Sequence, residues 1–400
     1  MLYCQCMTLD NCSQLSRLKG YNIMEHMTFG FIGLGLIGGS IAKSLKLHDS
    51  SLYIYAYDAN PDNLQLALKE HIVDTSLSAL TDTCTNENGS SVYCLSQCDV
   101  IFLCAPVSKN NENLGILKDF ISPNTLLTDV GSVKSGIHKL IEQYGMTQQF
   151  IGGHPMTGSE KSGFANAQSI ILENAYYILT PTQDVSCDKI EFLKNLVSAI
   201  GALPIILEPE KHDYITAAIS HVPHLIAAAL VNLVKDSDDT EAMMKTLAAG
   251  GFKDITRIAS SSPEMWESIC MDNSKNITAL MDDYIEALST IRTQVCEQEK
   301  GSVHALFTKS RDYRDSFADT ARGPIQKTYL FYVDIPDVTG SIATLATILA
   351  SHSISIKNIG IVHNREFEEG VLRIEFYESS AKQQAMELLT TMKYEVFDRR

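Results

Sequence analysis

The sequence predicts three successive fold classes in one chain: an α/β unit on a doubly wound parallel sheet, an all-α unit, and a small α+β unit of βαββαβ order. Three observations carry this. Between residues 28 and 207, short apolar runs that read as strands alternate with stretches of helical period. From 210 to about 322 no run reads as a convincing strand, and long apolar-periodic stretches rich in Ala, Leu and Met read as helices. From 327 to 397 strand and helix signals return in close succession.

Composition bounds the function. A chain of 400 residues exceeds one ordinary core and calls for two or three domains. Its 45% hydrophobic share is that of globular domains. The formal net charge of -16 argues against a nucleic-acid-binding surface, which needs clustered Lys and Arg, and against docking on an anionic membrane. Small molecules and other proteins are the expected partners. The cysteines are scattered without a CxxC pair, and Cys94 and Cys98 have no second pair or nearby histidines to complete a zinc site. This usage fits a reducing, cytoplasmic setting in which apolar thiols such as Cys104 are buried.

Residues 1–26 lack a basic stretch followed by a continuous apolar core, so they do not read as a secretory signal. They are expected to be a disordered extension, with the natural translation start near Met24 or Met27. Residues 28–32 then form an apolar strand that runs into Gly33-Leu34-Gly35-Leu36-Ile37-Gly38-Gly39-Ser40 and a helical pattern through Leu47. This is GxGxxG in the setting it needs. Gly33 permits a tight turn, Gly35 lets a pyrophosphate approach the backbone, and Gly38 lets the helix pack on the strand, with the phosphates at the helix N-terminus beside Leu36 and Ile37. The motif alone is weak. Here a second strand over 52–57 ends at Asp58, about the spacing at which an acid takes a ribose 2′-hydroxyl. Its carboxylate would repel a 2′-phosphate and no Arg stands beside it, which favours NAD over NADP; a helix cap before Pro61 is the other role open to Asp58.

Further strands are expected over 99–105, 125–129 and 150–153, with 176–180 and 203–207 closing the same domain around a helix at 187–201. Ligands of open α/β sheets lie beyond the carboxyl ends of strands. The first of these strands ends in Ala105-Pro106-Val107, expected on the nicotinamide side; the second in Asp129-Val130-Gly131-Ser132-Val133-Lys134; the third carries His154. Ser132, Lys134 and His154 are thereby directed to one crevice. Residues 151–164, Ile-Gly-Gly-His-Pro-Met-Thr-Gly-Ser-Glu-Lys-Ser-Gly-Phe, read as a loop too rich in glycine for a helix. Its glycines allow positive φ, Pro155 stiffens the histidine's neighbour, and His154 is a proton acceptor with Ser159, Glu160 and Lys161 nearby. Taken singly, a His in a Gly/Pro loop is often a turn residue, and Ser132 a turn or cap before a helix at 135. The convergence of three strand ends favours chemistry.

In the helical part, the run 215–234 is long enough to raise a membrane span. Asp213 at its entrance, two histidines and a proline within it, and no basic flank favour instead a helix buried in an oligomer core. The run contains Ser220-His221-Val222-Pro223-His224. His221 and His224 share a helical face at i and i+3, yet with only His212 and Asp213 as nearby candidate ligands no metal site is expected. Beyond lie Gly250-Gly251-Phe252-Lys253-Asp254-Ile255-Thr256-Arg257 and Ser262-Pro263-Glu264-Met265-Trp266. Arg257 offers the planar fork that grips a carboxylate, an ion pair with Asp254 being the alternative on spacing alone. Trp266, the only tryptophan, is expected to pack close to this site.

Together these motifs resemble the prephenate dehydrogenases of tyrosine biosynthesis. The matching segments are 33–40, Asp-Val-Gly-Ser-Val-Lys at 129–134, Gly-Gly-His-Pro-Met-Thr-Gly-Ser-Glu at 152–160, Ser-His-Val-Pro-His at 220–224 and Gly-Phe-Lys-Asp-Ile-Thr-Arg at 251–257. The resemblance covers residues 28 to about 322. It implies a Rossmann-like dinucleotide-binding domain over 27–209, an all-α dimerisation domain over 210–322, an active site between them and a homodimer. It implies oxidative decarboxylation of prephenate by NAD to 4-hydroxyphenylpyruvate, carbon dioxide and NADH. By the same resemblance His154 is the base for the ring hydroxyl, and Ser132 orients both imidazole and hydroxyl. Arg257 binds a substrate carboxylate, His224 assists, Lys134 lies at the substrate, and Glu160 with Asp254 forms an ionic network near the entrance. Lys253 stands where the family commonly has Arg. Arogenate dehydrogenase, whose substrate differs in a side-chain amino group, is the near alternative, and a non-catalytic amino-acid sensor the distant one. No chorismate mutase activity is expected, for want of an extra N-terminal helical domain.

Residues 310–326 are polar and read as a linker. Strands at 327–334, 354–363, 371–377 and 394–397, with helices at 340–352 and 381–392, give the βαββαβ order of a ferredoxin-like fold over 327–400. The turn Ile335-Pro336-Asp337-Val338-Thr339-Gly340-Ser341-Ile342 and the segment around Asn358 resemble an ACT domain, a regulatory module that binds amino acids at domain interfaces. That resemblance implies an effector site at Asp337, Gly340, Ser341, Ile342 and Asn358, with tyrosine as the expected effector; a purely structural appendage is the alternative.

Overall fold

The computed structural model describes residues 27–86, 88–158, 161–319, 329–336, 338–362 and 371–397. The expected extension over 1–26, with its translation start, lies outside the described residues. Two compact units divide the chain between Thr293 and Gln294.

The first unit begins with alternating strands and helices: β1 (Thr28–Ile32), α1 (Leu36–His48), β2 (Tyr53–Tyr57), α2 (Pro61–Lys69), β3 (Thr75–Leu77), a hairpin of β4 (Thr83–Thr85) and β5 (Ser91–Tyr93), β6 (Val100–Leu103), α3 (Asn110–Leu117), β7 (Leu126–Asp129) and α4 (Ser135–Gln143). A parallel sheet of order β3-β2-β1-β6-β7 results. The strands β6 and β7 are buried throughout, as near-continuous apolar runs in a doubly covered sheet should be. Phe29, Phe31, Ile41, Leu45, Ile54 and Phe102 pack in the core on one face, and Ile32, Ile101, Leu103, Leu127 and Phe150 on the other. Strand order reverses between β1 and β6, so the crevice beyond their carboxyl ends is the expected ligand position. The short β3 and the β4–β5 hairpin were not foreseen, because three-residue strands are too short to show alternation.

The expected single sheet does not run on unbroken. The strands β8 (Ile151–Pro155), β9 (Tyr176–Pro181) and, after α5 (Cys187–Ala199), β10 (Leu203–Ile206) form a second sheet of order β10-β9-β8. There β8 is antiparallel to β9 and β9 parallel to β10. A lone parallel bridge between Leu127 and Phe150 joins the sheets. The ladder stops there because the Gly153 N–H donates to the Asp129 carboxylate Oδ1 (3.0 Å), a side chain at the end of β7, instead of to a strand carbonyl.

The helices follow: α6 (Pro209–Thr216), a π-helical turn over Ala217–His221, α7 (Val222–Ser237), α8 (Met243–Leu247), α9 (Gly250–Thr256), a 3-10 turn over Arg257–Ser260, α10 (Pro263–Asp272) and α11 (Ser274–Cys296). The expected helix over 215–234 is thus interrupted by one wide turn. Pro223 has no N–H to give to the preceding turn, and the π turn absorbs that loss. The stretch Pro209–Ser237 is long and apolar enough to cross a membrane by length and composition, with only 22% of its most apolar window buried within one chain. The core here is small: Ala217, Val222 and Ile277, flanked by Leu225, Ile226, Leu280 and Met281.

The second unit contains α12 (Lys300–Asp319), β11 (Tyr329–Asp334), α13 (Ser341–Ser351), β12 (Ile356–Val362), β13 (Val371–Phe376), α14 (Ser379–Thr391) and β14 (Val396–Phe397). The helix α12 occupies much of the stretch expected to be a polar linker; Ala, Leu, Lys and Arg within it are good helix formers. The sheet is antiparallel throughout, of order β12-β13-β11-β14. Alternate residues Phe331 and Val333 of β11 and Leu372, Ile374 and Phe376 of β13 share a core with Leu345, Leu349, Ala385 and Leu389 of the two helices.

Candidate active site

The glycine loop after β1 is shaped by contact with the end of β6. Gly33 has φ +99, and a Cβ there would stand 2.6 Å from the backbone nitrogen of Ala105. At Gly38 a Cβ would stand 2.4 Å from the Gly33 carbonyl oxygen. Both positions therefore require glycine for fold alone. Gly35 is different: nothing lies within 4 Å of where its Cβ would be. Open space adjoins the start of α1, whose first N–H groups have no side-chain cap, and Leu36 and Ile37 open that helix. Space plus unpaired N–H groups is what a pyrophosphate needs. Asp58 closes the other side, its Oδ2 accepting the Leu34 N–H (2.5 Å) and its Oδ1 the Asn60 N–H (2.7 Å). The cap of α2 is Asn60, which accepts the Asp62 N–H at 3.0 Å. Asp58 thus tethers the glycine loop at the end of β2, where an adenosine ribose fits the chemistry of a carboxylate. Ala105 and Pro106 lead out of β6 into a short 3-10 turn over Val107–Lys109.

His154 lies on β8 itself, opposite Ile178, and not in the loop expected for it. The neighbouring glycines serve close packing: a Cβ on Gly153 would meet the Asp129 carbonyl oxygen at 2.5 Å, and one on Gly152 the Thr180 hydroxyl at 2.3 Å. The expected positive φ occurs further on, at Gly163 (φ +82). The imidazole is buried, 9% exposed. Its Nδ1 lies 2.8 Å from Nε2 of His212, whose Nδ1 is 2.8 Å from Oδ1 of Asp213. Asp213, on α6, also receives the backbone N–H groups of Lys134 (2.7 Å) and Ser135 (2.8 Å) at the start of α4. Burial, then the nearby His212, Lys134 and His221, hold the His154 pKa well below the ordinary 6.5. At Asp213 burial pushes the carboxyl up, but hydrogen bonds from His212, Ser135 and Lys134 outweigh it and the group sits below its usual range. A buried imidazole kept neutral has a lone pair that can take a proton.

One expectation is corrected. Lys134 was expected at the substrate, but it is fully buried, its ammonium paired with Asp129 and donating to the Gly153 carbonyl oxygen at 2.7 Å. It ties β7 to β8 beneath His154, because an aliphatic stem and a paired charge can be buried where an unpaired ammonium cannot. At the imidazole itself, Nδ1 is met by His212, which leaves Nε2 as the nitrogen that faces the expected role of Ser132. Ser132 itself sits half-buried between β7 and α4.

The helical side brings a second group together. The His224 ring stacks on Trp266 with centroids 3.8 Å apart, and His221 meets the same indole edge-on at 5.9 Å. Burial, and to a lesser degree the Arg257 charge, shift the His224 pKa down, and the 3-10 turn that carries Arg257 packs against α7, which carries His224. Asp254 is exposed on α9, one turn before Arg257. Asn273 donates to the Asp213 carbonyl oxygen (2.7 Å) and lies 3.1 Å from Nδ1 of His221. Glu160 and Ser159 lie outside the described residues, as does Asp337 of the expected effector site. Gly340 precedes α13 with φ +94, Ser341 and Ile342 open that helix, and Asn358 lies on β12, opposite Glu375. Among the described residues no group of three or more His, Cys, Asp or Glu is placed to hold a metal ion.

His212 escaped notice as a partner of His154 because the two stand far apart in sequence. The only local signal was the His212-Asp213 pair one turn after Pro209.

Residues 41–206 match the family model for the nucleotide-binding domain of prephenate dehydrogenase, and residues 208–309 that for its dimerization domain. Prephenate dehydrogenase of Bacillus subtilis (strain 168) is 37% identical over 371 residues, covering 91% of this chain and 96% of that protein. The crystal structure of prephenate dehydrogenase from A. aeolicus in complex with hydroxyphenyl propionate and NAD+ superposes with a TM-score of 0.66 at 29% identity, covering 73% of this chain and 98% of that one. Synechocystis arogenate dehydrogenase follows at 28% identity and TM-score 0.63, over 73% of this chain and 100% of that one. With a glycine-loop cradle, a buried His154 and two adjoining domain matches over most of its length, the chain belongs to the prephenate dehydrogenase family.

Proposed function

We propose that this protein oxidises and decarboxylates prephenate with NAD, giving 4-hydroxyphenylpyruvate, carbon dioxide and NADH. The observation that carries it is His154: a neutral, buried base on the strand that flanks the end of β7, in a chain whose B. subtilis relative bears the name prephenate dehydrogenase. Bound NAD supplies a hydride acceptor at the ring carbon. The uncapped start of α1 and the open side of Gly35 would hold its pyrophosphate, and Asp58 would take its ribose. The proton of the ring hydroxyl passes to His154 as hydride departs from the same carbon. Loss of the ring carboxylate as carbon dioxide then makes the ring aromatic, and the proton held on His154 returns to the oxygen. Arg257 grips a substrate carboxylate beside His224 and Trp266. By the sequence resemblance alone, Glu160 and Asp254 are assigned to an ionic network near the entrance.

Because the neutral imidazole is the active form and its pKa is lowered, activity holds below the ordinary histidine range. We expect kcat/KM to stay within about twofold from pH 8 to 6.5 and to fall only at lower pH; an acid limb centred at 6.5 or above in a pH-rate profile would contradict this.

Assays with prephenate and arogenate, each with NAD and NADP, decide the substrate and cofactor. NADH formation from prephenate is the expected result. Turnover of arogenate alone, the activity named for the Synechocystis relative, would move the substrate assignment. The assembly is a homodimer, supported by the thin core of the helical region and by exposed apolar residues such as Ile219, Leu233, Leu247 and Ile255 that a second copy would cover; its place in the cytoplasm follows from the scattered cysteines alone.

The C-terminal unit is a regulatory module of the ACT type that binds tyrosine, the amino acid to which this reaction leads. Its antiparallel β12-β13-β11-β14 sheet and the glycine turn before α13 support this. Saturating tyrosine should lower the rate several-fold at subsaturating prephenate and raise the melting temperature; no change in either would refute the regulatory role.

A further inference from the structure

The base identified above has a partner that no motif assigned. We propose that His212, anchored by Asp213, is a positioning residue that fixes His154 as the Nδ1-protonated tautomer, leaving Nε2 as the only nitrogen able to accept a proton. The proposal rests on the reading of His154 as the base.

The assignment follows from what each group can do. An ionised carboxylate only accepts hydrogen bonds, so His212 Nδ1, 2.8 Å from Asp213 Oδ1, must carry its proton. A neutral imidazole carries one proton, so His212 Nε2 presents a lone pair. That lone pair lies 2.8 Å from His154 Nδ1, which must therefore donate. Of the two unprotonated ring nitrogens, His212 Nε2 is occupied by the His154 N–H, so only Nε2 of His154 keeps a lone pair free. The opposite tautomer would present an N–H to the substrate hydroxyl and could take nothing from it.

The anchor is rigid. Asp213 is held through both carboxylate oxygens by the backbone at the start of α4 and through its carbonyl by Asn273. His212 is fully buried, its ring set at 72° to that of His154 with centroids 5.0 Å apart. The other titratable groups near the pair are Lys134 and Asp129, paired with each other at the end of β7, and His221 on the π turn. A positive charge gained by His154 is thus answered through His212 by the Asp213 carboxylate, as an orienting acid serves a histidine base elsewhere.

Two substitutions separate positioning from packing. His212→Phe keeps an aromatic ring and removes the acceptor; His212→Gln keeps an acceptor in reach of His154. We expect His212→Phe to lower kcat about 100-fold with the KM for prephenate within about threefold, and His212→Gln to recover at least about tenfold of that loss. NAD affinity should be unchanged in both. Nitrogen-15 spectra of histidine-labelled wild-type enzyme, with His154 assigned by its absence in His154→Asn, should show Nδ1 protonated and Nε2 bare at neutral pH. A kcat within about threefold of wild type in His212→Phe, a Gln variant no better than Phe, or an Nε2-protonated His154 would each overturn the proposal. The spectrum needs no folded variant at His212 and no turnover, so it stands apart from failure of the proposed reaction itself.

Discussion

Substituting His154→Asn should lower kcat by roughly 10²- to 10⁴-fold, the usual worth of a positioned general base, while NAD still binds with near wild-type affinity. The amide keeps hydrogen-bonding groups and a similar reach, so β8 and its glycine contacts with β7 are retained. What goes is the lone pair of a neutral imidazole. The hydroxyl proton then has no acceptor as hydride leaves, and the barrier rises by about 2.7–5.5 kcal/mol. The nucleotide cradle is built by Gly33, Gly35, Gly38 and Asp58 on other strand ends, so its affinity is independent of this change. Fluorescence titration with NAD alongside steady-state kinetics tests both halves; near-wild-type turnover would remove His154 from the chemistry.

Arg257→Gln should raise the KM for prephenate by about 10- to 150-fold, from the roughly 1.5–3 kcal/mol of a hydrogen bond to a charged group, with a smaller effect on kcat. Arg257 stands on the 3-10 turn after α9, close enough to His224 for its charge to be felt there. Its planar fork matches a carboxylate in a way that neither Gln nor Lys reproduces. A kcat loss at unchanged KM would instead place the guanidinium at the reacting carbon.

The elements that position these groups were largely legible in the sequence, for physical reasons that differ from one to the next. Strand β1 and the glycine loop read directly because close packing against Cys104 and Ala105 leaves glycine no substitute. The π turn before Pro223 was hidden, since a hydrophobic period of 3.6 does not register one extra residue in a turn. Lys134 was misplaced because burial of an ammonium depends on Asp129 turning toward it, which spacing cannot show. The His154–His212 pair was invisible for the same cause: it is made by tertiary contact between β8 and α6, and no period or motif links those positions. Glu160 and Asp337, both read from motifs, fall outside the described residues, and their roles rest on sequence resemblance.

The most direct measurement is a single reaction of purified protein with prephenate and NAD in which NADH and 4-hydroxyphenylpyruvate are both quantified. The account predicts that the two appear in equal amounts and that His154→Asn forms neither at a comparable rate. No NADH from prephenate, or NADH without the aromatic product, would contradict it.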